Sequence, residues 1–383
     1  MSAPLPPSYD VDQLLGEAQI IVCCGAGGVG KTTTAAALGL RAAERGRKVC
    51  VLTIDPARRL AQSMGLTELD NTPRSVKGVD GTSGGTLDAM MLDMKRTFDE
   101  IVLAHSDAQR AQQILANPFY VSLSSSFAGT QEYMAMEKLG QLKAEQRWDL
   151  IVVDTPPSRS ALDFLDAPQR LGRFLDGRMI RMLLAPAKAG GRAYMKVFTV
   201  GLNVFTSVLT RVIGAQALKD LSLFVSSLET MFGGFRERAD KTYQLLKEPG
   251  TAFLVVAVPE RDALREAAYF VERLSTEHMP LATMVLNRVH RSRYPALSAE
   301  RAMAAAESLE DAGESPVAAA TLRIHSETMR AAARDERMAR SFTGAHPQVP
   351  VVTVSAQAAD VHDLEGLRAI GADLAGEPAE LAG

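Results

Sequence analysis

The 383-residue chain is short of several things, and each shortage excludes a class of protein. It has only three cysteines, Cys23, Cys24 and Cys50, an odd number without the spacing of a disulfide framework, which points to a reducing compartment. No two of them stand as C-x-x-C, and the six histidines include no H-x-x-x-H pair, so no structural zinc and no other transition-metal site is expected. Charge of one sign is also missing. Lys+Arg of 42 against Asp+Glu of 45 leaves a net −3, without the basic excess of a nucleic-acid binder, and no nucleic-acid partner is expected. No apolar run reaches the ~20 residues of a membrane span. The longest uncharged candidate, Val197 to Thr210, is interrupted by Thr199, Asn203, Thr206 and Ser207. Met1 to Asp10 is proline-rich and has neither a charged start nor an apolar centre, so no secretory signal is expected. A soluble, cytoplasmic protein is the expectation.

What is present is ordinary in amount and specific in order. Hydrophobic residues at 46% and charged residues at 23% fit a globular chain and exclude wholesale disorder. At ~150 residues per domain the length makes one large domain or two modest ones. The first part alternates strand-like and helix-like segments, the rhythm of a parallel sheet. Ala18 to Cys24, Lys48 to Ile54, Trp148 to Val153, Ala252 to Val258, Met279 to Leu286 and Pro350 to Val354 read as continuous apolar runs, as strands buried on both faces do. Thr32 to Glu44 is an alanine-rich helix closed by Gly46. Between Asp166 and Glu248 the strand signal stops, and apolar residues recur at helical spacing through Met179, Met182, Leu202, Phe205 and Leu209. Part of Lys95 to Lys143 shares that pattern, and Glu300 to Arg340 predicts solvated helices broken near Gly313 to Pro316.

The strongest local signal is Gly25-Ala26-Gly27-Gly28-Val29-Gly30-Lys31-Thr32, a G-x-x-x-x-G-K-[ST] loop after a strand and before a helix. Glycines let the backbone wrap closely, so that N–H groups of Gly25, Gly27, Gly28, Val29, Gly30 and Thr33 can face phosphate oxygens, aided by the helix dipole. Lys31 is expected to hold β- and γ-phosphates and Thr32 to ligate Mg²⁺. Asp154 closes a Walker-B-like strand and is expected to hold Mg²⁺ through water. Asp55 closes another strand, where a carboxylate can orient or deprotonate an attacking water. Taken alone, either aspartate is as readily a helix cap or turn residue.

Together, the glycine loop, Asp55-Pro56-Ala57, Asp154-Thr155-Pro156-Pro157-Ser158, Val258-Pro259-Glu260 and Val285-Leu286-Asn287-Arg288 resemble the family of arsenical-pump-driving and tail-anchored-protein-targeting ATPases, with the pattern of an actinobacterial branch. The resemblance runs from about Ala18 to Ala372. It implies an α/β phosphate-loop NTPase fold, a mostly parallel sheet flanked by helices, with an inserted all-helical subdomain. The ATPase core would take residues 1–95, 146–165 and 250–375, the helical subdomain 96–145 and 166–249, and a flexible tail 376–383. The resemblance further implies a Mg²⁺-dependent, chaperone-like ATP hydrolase that works as a dimer, with Asp55 to Leu60 and Asp154 to Leu165 as nucleotide-sensing switches. Asn287 and Arg288 would contact the nucleotide at its adenine end. The helical subdomain would bind a hydrophobic client or a membrane-protein partner, through a groove at Met179 to Leu209 unless that stripe is simply core.

Departures from the family pattern narrow this. Ala26 stands where the family's loop carries a lysine that reaches the partner subunit's phosphates. A homodimer would lack both trans lysines, so a heterodimer with a related ATPase subunit is favoured over a homodimer. The alternative is a nucleotide-binding regulatory subunit with little hydrolysis of its own. The cysteines read as core residues rather than as the thiolate cluster that arsenite needs. Ser355 to Leu367 fills the position of the family's adenine-capping loop but lacks its prolines, and is not counted among the nucleotide contacts.

Overall fold

The computed structural model describes residues 9–55, 59–118, 120–121, 130–156, 237–238 and 240–377. The chain divides into two compact units, one of Met1–Met91, Leu142–Leu162 and Leu245–Gly383 and the other of Leu92–Gln141 and Asp163–Gln244. The stripe from Met179 to Leu209, most of the segment 166–249, and residues Pro56, Ala57, Arg58 and 157–165 of the two switches lie outside the described residues.

The first unit is the α/β architecture expected. Its described elements are α1 (Val11–Glu17), β1 (Ile20–Gly25), α2 (Lys31–Glu44), β2 (Lys48–Thr53), α3 (Arg59–Ser63), β3 (Arg74–Ser75) and β4 (Thr86–Met91). The second unit contributes α4 (Met94–His105), α5 (Ala108–Leu115) and most of α6 (Thr130–Glu145). The first unit then resumes with β5 (Leu150–Asp154), β6 (Thr251–Ala257), α7 (Arg261–Thr276), β7 (Leu281–Val289), α8 (Ala299–Asp311), α9 (Pro316–Ala345), β8 (Val351–Ser355) and α10 (Leu364–Leu374). The eight strands lie in the order β3-β4-β2-β5-β1-β6-β7-β8. Every pairing is parallel except β3 against β4. β1 is central, with Cys23 level with Asp154 of β5 and with Leu254 of β6.

The sequence dictates this centre. β1, β5 and β6 are buried along their whole length, which only continuous apolar runs tolerate. α2 is buried almost all round, and its alanines are what permit it: Ala35, Ala36 and Ala37 have no exposed surface and let the helix lie close on its neighbours. α10 crosses beside it, where Gly371 comes near the Ala37 carbonyl. Two ion-paired arginines tie the outer layer down, Arg41 to Asp12 and Glu377, and Arg368 to Glu44.

The structure adds elements that the apolar runs do not announce. β4 has Asp88 in its middle, a poor strand residue, because that carboxylate accepts the indole N–H of Trp148 at 3.0 Å. β5 starts at Leu150 rather than at Trp148. The helices predicted over 300–340 are α8 and α9, a hairpin broken at Gly313 in the left-handed region and restarted at Pro316. α9 is 30 residues long and buries only a narrow stripe including Ala319, Ser326, Ala331, Asp335 and Phe342.

In the second unit, α4 and α5 are each capped by an aspartate whose side chain accepts an N–H three residues on, Asp93 from Arg96 and Asp107 from Arg110. Two ion pairs bind its helices to one another, Lys138 with Glu100 and Arg238 with Glu137.

Leu38 is fully buried in the cluster that joins α2 to the sheet. Leu38→Ala is expected to destabilise the protein by about 2–5 kcal/mol, the range for a buried leucine whose cavity only partly collapses. Urea unfolding followed by circular dichroism measures it.

Candidate phosphate-binding site

The loop between β1 and α2 is held from behind before it can hold anything in front. Gly25 ends β1 so close to β6 that a Cβ there would lie 2.1 Å from the Val256 carbonyl oxygen. Val29 is the loop's anchor, buried in the core cluster. Gly30 caps α2 in the left-handed region, at φ 95°, and a side chain there would meet the Asn287 amide nitrogen at 2.2 Å. That amide donates to the Val29 carbonyl at 2.9 Å, so the end of β7 is tied directly to the loop.

Lys31 is buried, and its ammonium donates to the carbonyls of Gly25 at 3.0 Å and Ala26 at 2.8 Å. Desolvation lowers its pKa from the ordinary value, against the attraction of Asp154. Behind it lies a compact polar network. Thr32 of α2 and Thr53 of β2 each donate a hydroxyl to the same Asp154 oxygen, Oδ2, at 2.8 Å. The other oxygen, Oδ1, is buried and has no hydrogen-bond partner among the described residues. Burial raises the Asp154 pKa to about 6, although the two hydroxyls and Lys31 pull it down. An orphaned carboxylate oxygen beside a threonine hydroxyl is a hard oxygen donor set, which suits Mg²⁺. Among the described residues no group of three or more His, Cys, Asp or Glu is arranged to hold a metal by itself.

In front of the network is an open cleft of about 420 Å³. It brings together Gly28, Gly30, Lys31, Thr32, Thr33, Asp55 and Arg288. Gly25, Val29, Asp154 and Asn287 stand behind its wall as supports. Gly27 is exposed on the loop. Asp55 is half-buried at the end of β2, with its N–H donating to the Thr53 hydroxyl. Five further lining residues are not among the expected contacts. Gln62 and Ser63 come from the short helix α3, where no motif marks them, and Asp360, Val361 and His362 come from the loop after β8. Position in the family pattern was the available signal for that loop, and its lack of prolines obscured it.

The three cysteines are buried and unpaired. Burial pushes Cys24 up to about 12 and raises Cys23 and Cys50 as well, so all three are neutral thiols at physiological pH. They do not form a thiolate cluster.

A glycine loop at the amino end of a helix, with its lysine and strand-end aspartates on a parallel sheet, defines a phosphate-loop nucleotide-binding protein. The family model for anion-transporting ATPases matches residues 18–305, most of the chain, and the chain belongs to that family, which includes the arsenical-pump-driving and tail-anchored-protein-targeting ATPases. It is similar to ATPase ASNA1 homolog 2 of Paramecium tetraurelia, 25% identical over 268 residues that cover 69% of this chain and 74% of the relative. ATPase GET3 of Malassezia globosa is 24% identical over 269 residues, 70% of this chain and 72% of the relative. A putative arsenical pump-driving ATPase of Aquifex aeolicus is 26% identical over 255 residues, 65% and 58% of the two chains. These similarities support an ATP-binding ATPase role. Among the described residues no helix is long and apolar enough to cross a membrane.

Two outcomes follow from the electrostatics. The folded-state pKa of Asp154 lies above that of an unfolded aspartate, so the folded protein holds the extra proton and stability falls as pH rises from ~4 through ~6. In chelator, Asp154→Asn is therefore expected to gain about 1–3 kcal/mol of stability at pH 7.5 and nothing at pH 4, from the cost per unit of pKa shift. Denaturant unfolding at the two pH values checks this. A thiol reagent at pH 8 is expected to find no reactive cysteine in the native protein and all three after denaturation.

Proposed function

We propose that the protein is an ATP-hydrolysing dimeric switch, in which nucleotide turnover at this cleft rearranges a helical client- or partner-binding subdomain. The observation that carries the reading is the Asp154 carboxylate: fully buried, half satisfied by Thr32 and Thr53, and set directly behind the phosphate loop. A charge left in that state is costly for a protein to keep unless something that binds there compensates it. Mg²⁺ would be held by Thr32 and, through water, by Asp154, and when bound it would offset charge on the phosphate oxygens. Lys31 would exchange its two loop carbonyls for β- and γ-phosphate oxygens. The backbone of Gly27 to Gly30, with Thr33 at the start of α2, would cradle the remaining oxygens. Asp55 would orient the attacking water and accept its proton. Asn287 and Arg288 would stand at the adenine end, Asn287 also bracing the loop through Val29.

The division of labour proposed with this is an ATPase core of residues 1–95, 146–165 and 250–375 and a helical subdomain of 96–145 and 166–249. Cytoplasmic location and a hydrophobic client or membrane-protein partner belong to the same proposal, and the similarity to a putative arsenical pump-driving ATPase supports the idea of a partner that the ATPase drives. Ala26 favours a heterodimer, because a homodimer of this chain would have no lysine at that position in either loop. The same residue supports the second reading, a regulatory subunit that binds ATP and turns it over slowly.

Steady-state ATPase measurements separate these. With Mg²⁺, the purified chain is expected to hydrolyse ATP slowly, and Lys31→Ala or Asp55→Asn to reduce the rate to background. Ala26→Lys is expected to raise it by at least ~10-fold, given that a cation supplied to a transferring phosphoryl group contributes ~10³–10⁵ where it is fully effective. A rate unchanged in Ala26→Lys would refute the account of Ala26. Tight ATP binding with no hydrolysis in either protein would establish the regulatory reading instead.

A further inference from the structure

A second cleft, of about 490 Å³, opens at the carboxyl ends of β6 and β7, the end of an open parallel sheet at which ligands bind. Val258 and Pro259 line it on the sheet side, and α9 closes it with Arg334, Arg337 and Met338. All of α9 lies beyond residue 305, where the family match stops, so this wall stands outside the matched part of the chain.

The charges in the cleft are unbalanced. Asp335 is already engaged, since its Oδ2 accepts the His290 N–H at 2.8 Å and lies 2.8 Å from the His290 ring nitrogen Nδ1. On the arm formed by α8 and α9, two arginines are neutralised, Arg323 by Glu310 and Arg340 by Glu336. Arg288, Arg334 and Arg337 all face the cleft, and none has a carboxylate at ion-pair distance among the described residues. Glu260 is the one further acidic residue of the lining. Three guanidinium groups around a half-apolar pocket match an anion whose oxygens can be held in pairs by a guanidinium fork, as those of a phosphate can, attached to an apolar body.

Arg288 connects this cleft to the first one, because it lines both. Its backbone is in the left-handed region, at φ 57°, a conformation unfavourable for a residue with a side chain. The Asn287 side-chain oxygen holds it there by accepting the Arg288 N–H at 2.9 Å, while the same amide grips the phosphate loop. Backbone strain at a residue shared by two clefts, fixed by a side chain that also braces the loop, is a physical route by which each cleft senses the other.

We propose that this cleft is a second ligand site, for a small organic phosphate. Arg334 and Arg337 hold the phosphate, Val258, Pro259 and Met338 carry the apolar part, and Arg288 couples occupancy to the nucleotide cleft. The coupling is reciprocal, as linkage requires.

Calorimetric titration of the full chain with inorganic pyrophosphate tests the site. Wild-type protein is expected to show two binding events, of which Lys31→Ala removes one. The double variant Arg334→Gln/Arg337→Gln removes the other, by roughly tenfold or more in affinity, as loss of charge-assisted bonds to phosphate requires. Both arginines are solvent-exposed, so the double variant is expected to keep the wild-type melting temperature and its affinity for a non-hydrolysable ATP analogue. Loss of all pyrophosphate binding in Lys31→Ala, or an unchanged titration in the double variant, overturns the proposal. Failure of the ATP analogue to bind wild-type protein would instead count against the nucleotide cleft and leave the arginine comparison to decide the second one. Phenyl phosphate should bind Lys31→Ala more tightly than inorganic phosphate, with the advantage lost on adding Met338→Ser. Equal affinity would overturn the assignment of an organic ligand.

Discussion

Asp154 sits at the end of β5 with no exposure to solvent, and two threonines from different elements, Thr32 of α2 and Thr53 of β2, donate to one of its oxygens. The network thus joins a helix to two strands through a single atom. It also fixes the start of α2, because Lys31 and Thr32 are the first two residues of that helix. A carboxylate in this position is expensive, and the protein solves only half of the problem: one oxygen is satisfied and the other has no donor among the described residues. The proposed cation would complete the arrangement, and the surroundings that keep the oxygen from water are buried and apolar. A fluctuating loop could not hold an orphaned oxygen away from water.

The same economy appears in front of the network. The phosphate loop has little structure of its own, and its shape comes from three distant supports. Gly25 is pressed against the Val256 carbonyl, Val29 is sunk in the core, and Asn287 bonds back to Val29 from the end of β7. In a dense interior such supports transmit displacement instead of absorbing it. A shift at β7 reaches the loop through one amide group.

Much of this was legible in the sequence because both chemistry and burial leave local marks. A loop that must wrap phosphates needs glycines in a set order, and strands buried on both faces need unbroken apolar runs, so β1, β2, β5, β6, β7 and β8 were visible as such. β4 was not, because Asp88 breaks its run, and the reason for that aspartate is Trp148, sixty residues away in sequence. Gln62 and Ser63 were invisible for a related reason, since nothing in their composition says that they line the cleft, whereas Asp360, Val361 and His362 lie in a loop marked by its place in the family pattern and obscured by its lack of prolines. Asn287 was legible as a site residue through its position after a strand, whereas its bond to Val29 depends on a register that only the folded sheet defines. The unpaired arginines of α9 looked like an ordinary solvated helix face, since pairing is a property of three-dimensional neighbours.

The central place of β1 has a consequence for how the molecule comes into being. Its residues leave the ribosome well ahead of its hydrogen-bonding neighbours, residues 150–154 on one side and 251–257 on the other. The motif that identifies the protein therefore emerges long before anything can give it shape, and pairings of such wide separation form slowly. Until β6 is synthesised, β1 is a bare apolar strand with two unmade edges, the kind of segment that seeks other partners. Nucleotide capture thus waits on strands made much later than the loop itself, and a growing chain needs shelter for the very strand on which that capture is built.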